Sequence, residues 1–174
     1  MRRTIRELLS AAAIGSMALV PITLNAQLLT GGSQIQGLPA APPKSGSVSL
    51  LTDSAQVTAG REQAIELRFQ VADGLHINSH RPSSDLLMAT TLSASGDAGF
   101  QVRGVSYPAG HDFRLEIGAG ETLNVYQGEF RITLRVVAPR GRSSFHGTLR
   151  YQACDTNSCY PPRTLPFVVN ANAQ

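Results

Sequence analysis

Between Val48 and Val169 the chain repeats one pattern: short apolar runs of period two, separated by turn residues. In Ala64–Val71, Ile65, Leu67, Phe69 and Val71 fall on one face and Glu66, Arg68 and Gln70 on the other. Such alternation suits a strand with one buried face. It does not suit an amphipathic helix, whose apolar positions recur every three to four residues. Phe130–Ala138 repeats the pattern, with Phe130, Ile132, Leu134 and Val136 inward and Arg131, Thr133 and Arg135 outward. Phe145–Ala153 sets Phe145, Leu149 and Tyr151 against His146, Thr148, Arg150 and Gln152. Val48–Leu51, Leu75–Ser79, Thr90–Ser95, Phe100–Tyr107 and Pro166–Val169 are shorter candidates, and no long amphipathic helix interrupts the series.

Roughly eight short strands at about ten-residue spacing predict an all-β fold, an immunoglobulin-like antiparallel β-sandwich. The chain has 174 residues, 42% of them hydrophobic, enough for one such core but not two full domains. There is no Trp, so the Cys…Trp…Cys signature of antibody domains is absent, and Cys154 and Cys159 are too close in sequence to link two sheets.

Ahead of the strands the composition changes twice. Residues 1–26 read as a signal peptide: Arg2, Arg3 and Arg6, then the apolar run Leu8–Leu24, then a small-residue cut site ending at Ala26. The run holds Ser10, Gly15, Ser16 and Pro21 and falls short of the ~20 apolar residues of a membrane span. The flanks of Arg2-Arg3 fit a twin-arginine signal poorly, and no cysteine near the cut invites a lipid. Residues 27–47, with Gly31-Gly32, Pro39, Pro42-Pro43 and Gly46, read as a flexible linker. Residues 48–170 form the β domain and 171–174 a tail. The mature protein is expected to be periplasmic, exported and soluble, not inserted in the membrane once the signal is cut, and a monomer on the simplest reading.

The formal charge of +3 suggests a basic protein only until the signal is removed. Arg2, Arg3, Arg6 and Glu7 leave with it, and the remainder has 12 basic and 11 acidic residues. Nucleic-acid binding needs a concentrated basic face, so no nucleic-acid partner is expected.

Cys154-Asp155-Thr156-Asn157-Ser158-Cys159 is a C-x4-C loop whose inner residues are turn formers and whose exit is fixed by Pro161-Pro162. It reads as a tight hairpin with two thiols at its mouth. Alternation puts Cys154 on the face of Arg150 and Gln152, away from Leu149 and Tyr151, which predicts an accessible sulfur. Three chemistries fit. A structural disulfide is the default in an oxidising compartment, although closing so short a loop stabilises by only ~2 kcal/mol. A redox-active pair needs an accessible thiolate and a second thiol to resolve the mixed disulfide, and a short exposed hairpin supplies both. A metal site would need further ligands, from only four histidines and, in the mature domain, Met88.

The string Tyr151-Gln152-Ala153-Cys154 and then Cys159-Tyr160-Pro161-Pro162 resembles the N-terminal periplasmic domain of the thiol:disulfide interchange protein DsbD. Asp73-Gly74-Leu75-His76-Ile77-Asn78, Tyr107-Pro108 and Val125-Tyr126 fit that domain in order and spacing over roughly Val48–Val169.

The resemblance implies an immunoglobulin-like sandwich whose Cys154–Cys159 pair cycles between dithiol and disulfide. It implies a thiol–disulfide exchange module, a protein thiol-disulfide oxidoreductase of the disulfide reductase type, with no cofactor and no bound metal. Reducing equivalents would come from a membrane-embedded partner by way of a thioredoxin-like domain, and pass to periplasmic disulfide isomerases or cytochrome c maturation proteins. This chain carries neither of those other domains, so its membrane electron donor is expected to be a separate protein and its partners thioredoxin-fold periplasmic proteins. Carried over residue by residue, Cys159 forms the mixed disulfide and Cys154 resolves it. The family's cap loop, an acidic residue and an aromatic shielding the disulfide, falls on His111-Asp112-Phe113, with Phe113 as the cap. Tyr151 and Tyr160 flank the pair. The sequence departs from the best-known members in its C-x4-C spacing, where they have C-x5-C, and in His76 and Asn78, where they have tyrosines. His76 beside the pair would accept a proton or stabilise a thiolate; the alternative is an ordinary half-exposed strand histidine. The competing function is an immunoglobulin-like binding module whose disulfide only staples a hairpin.

Overall fold

The computed structural model describes residues 46–115 and 120–174, and among them every regular element is a strand. The expected signal peptide and residues 27–45 of the expected linker lie outside the described residues. The linker's last residue, Ser47, belongs to the domain: it is buried, and its carbonyl accepts the Ala72 N–H at 3.0 Å.

One four-stranded sheet has the order β1 (Val48–Leu50), β3 (Glu62–Val71), β9 (Glu129–Val137), β6 (Gln101–Ser106). A second has the order β2 (Ser54–Val57), β12 (Arg163–Ala173), β10 (Gly141–Tyr151), β5 (Thr91–Gly96). All their pairings are antiparallel except β2 with β12. The period-two residues do what their spacing dictates. Leu67, Phe69, Ile132, Leu134 and Val136 from the first sheet and Phe145, Leu149 and Val169 from the second are fully buried in one core. Phe69 stacks on Phe130 beside it at 5.4 Å and meets Phe167 of the opposite sheet edge-on at 6.1 Å. The result is the expected all-β sandwich.

Two sequence oddities have local explanations. Gly147 takes an inward position between Phe145 and Leu149, where a Cβ would lie 2.4 Å from the Ser93 carbonyl oxygen and 2.6 Å from the Phe167 ring. Pro166 is tolerated in β12 because β2 pairs only with residues 170–173, leaving β12 a single neighbour at that point.

The charged outward face of the first sheet carries cross-strand ion pairs. Arg68 pairs with Glu129 at 2.9 Å, Arg131 with Glu129 at 3.1 Å, and Arg135 with Glu62 at 3.5 Å. Exposed pairs of this kind add little stability.

A third sheet has the order β11 (Ala153–Cys154), β4 (His76–Asn78), β8 (Thr122–Tyr126), β7 (His111–Arg114). It is fed by both layers of the sandwich: β4 follows β3 through the Asp73-Gly74 turn, with Gly74 at φ 76°, and β11 follows β10 after Gln152. Strands β2, β7 and β8 were not expected from the sequence, and β11 is a separate strand where one continuous Phe145–Ala153 strand was expected. They are short, and β2 and β7 are mostly exposed, so their apolar period is hard to see. The expected tail also differs: β12 runs to Ala173, and Ala171 and Ala173 are buried where β2 pairs with it.

Candidate functional site

Two faces of the third sheet do different work. Along a strand successive side chains alternate sides. Ile77, Tyr126 and Ala153 point into the sandwich core. The register then puts Cys154, His76, Asn78, Val125, Leu123, His111 and Phe113 on the other face. That second face is also dry: Cys154, His76, Asn78, Val125 and Leu123 are all buried, although Cys154, Val125 and Leu123 stand outside the main core cluster.

Cys154 and Cys159 are joined by a disulfide with an S–S distance of 2.03 Å and Cα atoms 3.9 Å apart, across an antiparallel bridge. Asp155 shapes the hairpin between them. Its Oδ1 accepts the N–H groups of Asn157 and Ser158, both at 2.7 Å, and its own N–H donates to the Ser158 carbonyl at 2.9 Å. Its Oδ2 accepts the Tyr160 hydroxyl at 2.5 Å. The Tyr160 N–H donates to the Ala153 carbonyl at 2.8 Å, and Gln152 Nε2 donates to the Tyr160 carbonyl at 3.2 Å. The Tyr160 hydroxyl, then the Asn157 N–H, hold the Asp155 carboxyl below its ordinary range, and the same bond pushes the Tyr160 hydroxyl up.

The two cysteines are unequally buried. Cys159 is exposed, whereas Cys154 is 1% exposed. This corrects the expectation of an accessible Cys154. The alternation itself holds, since Cys154 faces away from Ala153 and the sandwich core. At Gln152, however, the chain passes from the second sheet to the third, whose outer face has a cover of its own.

His76 is the register partner of Cys154. Directly opposed residues share a face with Cβ atoms ~5 Å apart. The imidazole is 1% exposed, not half-exposed, and Phe113 packs over it with ring centroids 4.3 Å apart and planes at 34°. Its Nε2 is buried without a hydrogen-bond partner. Burial pushes its pKa below 6.5; the nearby Asp155 carboxylate opposes this and His111 adds to it. The ring is therefore neutral at pH 7.

The other anticipated residues divide. Asn78 donates from Nδ2 to the Met88 carbonyl at 3.2 Å, fixing the segment after β4, and its Oδ1 is buried and unpartnered. Tyr160 is held by Asp155. Phe113 is half-buried and sits over His76. Asp112 is exposed and, next to Phe113 on the strand, projects from the opposite face, so it is not brought to the disulfide. Tyr151 packs into the sandwich core on the side of Ala153. Asp155 is the functional-site residue that sequence reasoning left as a mere turn former. Its spacing ahead of Asn157 and Ser158 was the available signal. Tyr126 ties together strings far apart in sequence: its hydroxyl accepts the His80 N–H at 3.1 Å and donates to the Pro108 carbonyl at 3.0 Å.

Among the described residues no three His, Cys, Asp or Glu side chains stand together as a metal site, and no helix is long and apolar enough to cross a membrane.

The sequence model of the family described as "Thiol:disulfide interchange protein DsbD, N-terminal" matches residues 48–171. Among solved structures, the reduced N-terminal domain of Neisseria meningitidis DsbD is similar at 21% identity, covering 66% of this chain and 82% of that one, with a TM-score of 0.42. The N-terminal periplasmic domain of ScsB from Proteus mirabilis is similar at 19% identity, covering 71% of this chain and 43% of that one, with a TM-score of 0.45. A PapD-like domain of human CEP192 is similar at 15% identity, covering 94% of this chain and 98% of that one, with a TM-score of 0.33. No curated protein matches the chain.

Proposed function

The chain belongs to the family of N-terminal domains of the thiol:disulfide interchange protein DsbD, and from that premise we propose that it is a periplasmic thiol–disulfide exchange module acting through Cys154 and Cys159. The observation that carries the reading is the unequal burial of the two cysteines: Cys159 is exposed at the surface and Cys154 is buried beside it. Exchange requires a thiolate to reach one sulfur in line with the S–S bond, and a second thiol close enough to resolve the product.

The cycle follows from this. A thiolate of a reduced thioredoxin-fold donor, itself supplied by a separate membrane protein, attacks Cys159 Sγ. The Cys154–Cys159 bond breaks and its electron pair leaves on Cys154. The donor's second thiol then displaces Cys159, so the donor leaves as a disulfide and this domain as a dithiol. In the second half, the Cys159 thiolate attacks an oxidised client. Cys154 attacks Cys159 Sγ, the domain's disulfide closes, and the client departs reduced. Two electrons and two protons pass in each half.

Trapping tests the proposal. Cys154→Ala, expressed in the periplasm of the native host, is expected to form an adduct with a thioredoxin-fold protein on non-reducing gels, lost in the Cys154→Ala/Cys159→Ala double variant. No adduct, together with a potential for the native pair below about −300 mV, the range of structural disulfides, would leave the stapled binding module as the better description.

A further inference from the structure

We propose that His76 is the hydrogen-bond and proton acceptor of the buried Cys154 thiol, a role that rests on the exchange reading above. One buried atom beside the cysteine pair lacks a partner. Buried polar atoms without partners are uncommon and costly. His76 Nε2 is such an atom, and the residue directly opposite it on the ladder is Cys154. In the oxidised state the Cys154 sulfur carries no hydrogen and has nothing to donate. Reduction places an S–H donor on that sulfur, so the missing partner of Nε2 exists only in the dithiol state.

The surroundings keep the acceptor ready. Phe113 covers the ring at 4.3 Å and excludes water from it. Burial keeps the ring neutral, which leaves Nε2 a free lone pair in the tautomer protonated at Nδ1. The charged or titratable groups felt by the ring are the Asp155 carboxylate from the cysteine hairpin and His111 from β7. Asp155 stabilises an imidazolium once formed. The Asp155 carboxylate is itself held ionised by the Tyr160 hydroxyl and two backbone N–H groups.

A proton acceptor is needed at Cys154 and not at Cys159. An exposed thiol ionises into water, whereas a buried thiol in apolar surroundings resists ionisation. When Cys159 is joined to a client, the Cys154 proton moves to His76 Nε2 and the Cys154 thiolate attacks Cys159 Sγ. The Cys154–Cys159 bond forms, the Cys159–client bond breaks, and the client sulfur leaves with the electron pair. The imidazolium then returns its proton to the departing thiolate or to water.

Ring closure is measured directly with an aromatic disulfide, 5,5′-dithiobis(2-nitrobenzoate), on the reduced protein. Cys159 releases one thionitrobenzoate as it forms the mixed disulfide, and Cys154 releases the second as it closes. No protein partner is involved, so the result stands apart from whether a client is ever trapped. In the wild type the second release is expected to be nearly independent of pH above 7 and to fall in acid as His76 becomes protonated. His76→Gln removes the base, and His76→Phe removes it while keeping an aromatic ring under Phe113. Both are expected to slow the second release about tenfold or more at pH 7 and to make its rate rise with hydroxide concentration. Thermal melts of the oxidised variants establish that they are folded, and His76→Phe supplies the comparison if His76→Gln is not. Unchanged rates and pH profiles in a folded variant would overturn the assignment, as would a wild type that never releases the second thionitrobenzoate.

Discussion

Alkylation of the reduced protein gives the sharpest test of the unequal sulfurs. The perturbation is reduction followed by a timed exposure to iodoacetamide. Cys159 is open to reagent, while Cys154 is 1% exposed and must be uncovered first. Uncovering it means peeling β11 from β4 over the pairs Ala153↔Ile77 and Cys154↔His76, and breaking the Tyr160 N–H bond to the Ala153 carbonyl. About three backbone hydrogen bonds at ~1 kcal/mol net each give an opening cost of about 3 kcal/mol. That corresponds to a factor of ~150 between the two thiols in the fast-reclosing regime. None of these contacts requires the S–S bond, so reduction should leave them in place. The assay is mass spectrometry of the peptide Tyr151–Arg163, released by cleavage after Arg150 and Arg163, with fragmentation between the cysteines to locate the label. Rates are taken across pH and compared at full ionisation, which separates access from acidity. Equal rates, or faster labelling at Cys154, would refute the sheltered-sulfur argument and with it the assignment of Cys159 as the partner's point of attack.

Other outcomes follow from single contacts. A hydrogen bond from the Cys154 thiol to His76 that exists only in the reduced form, at ~1 kcal/mol, raises the potential by about 20 mV. Equilibration of His76→Phe with glutathione should therefore give a potential more negative by that amount. The folded state disfavours protonated His76, so the unfolded chain binds the extra proton as pH falls through 6.5, and stability must drop there. Melting temperatures of wild type should decline between pH 7.5 and 5.5 more steeply than those of His76→Phe. Asp155 acts in the same sense over a more acid range: its lowered pKa contributes stability above about 3.8 that is lost as pH falls below it, and Asp155→Asn should flatten the acid limb of the melting curve. Gly147→Ala forces a Cβ against the Ser93 carbonyl and the Phe167 ring, and urea unfolding should show a loss of ~1–3 kcal/mol with the m-value unchanged.

The long central strands were legible because each has one dry and one wet face. Ile65, Leu67, Phe69 and Val71 announce β3, and Phe130 to Val136 announce β9, by apolar period alone. The hairpin at Asp155 was legible from turn chemistry. The third sheet was legible only in part, through the candidates Leu75–Ser79 and Phe145–Ala153 that reach β4 and β11, and its separateness was not, for a physical reason. A strand of two or three residues such as β11 or β4 has no period to read, and both of its faces are buried. Alternation therefore told correctly which way Cys154 points but said nothing of what lies on that side. His76 had the same fate. Family resemblance, not pattern, set it beside the pair, with a half-exposed strand histidine as the alternative, and the pairing of residues 76 and 154, brought together by two separate sheet crossings, shows it buried against the cysteine. Phe113 was anticipated from family resemblance rather than from pattern, since β7 is exposed along most of its length.

The two-faced third sheet gives the molecule two small interiors with different duties. One holds the domain together through Ile77, Tyr126 and Ala153; the other, through Cys154, His76 and Val125, meets the chemistry. Cys154 lies outside the cluster that holds the aromatic packing of the first. In the proposed exchange cycle the pair is loaded and unloaded many times, and this separation sets the reacting cysteine apart from the scaffold. It also leaves that face free to diverge, since new residues at positions 76, 78 or 113 need fit only one another and not the interior that folds the chain.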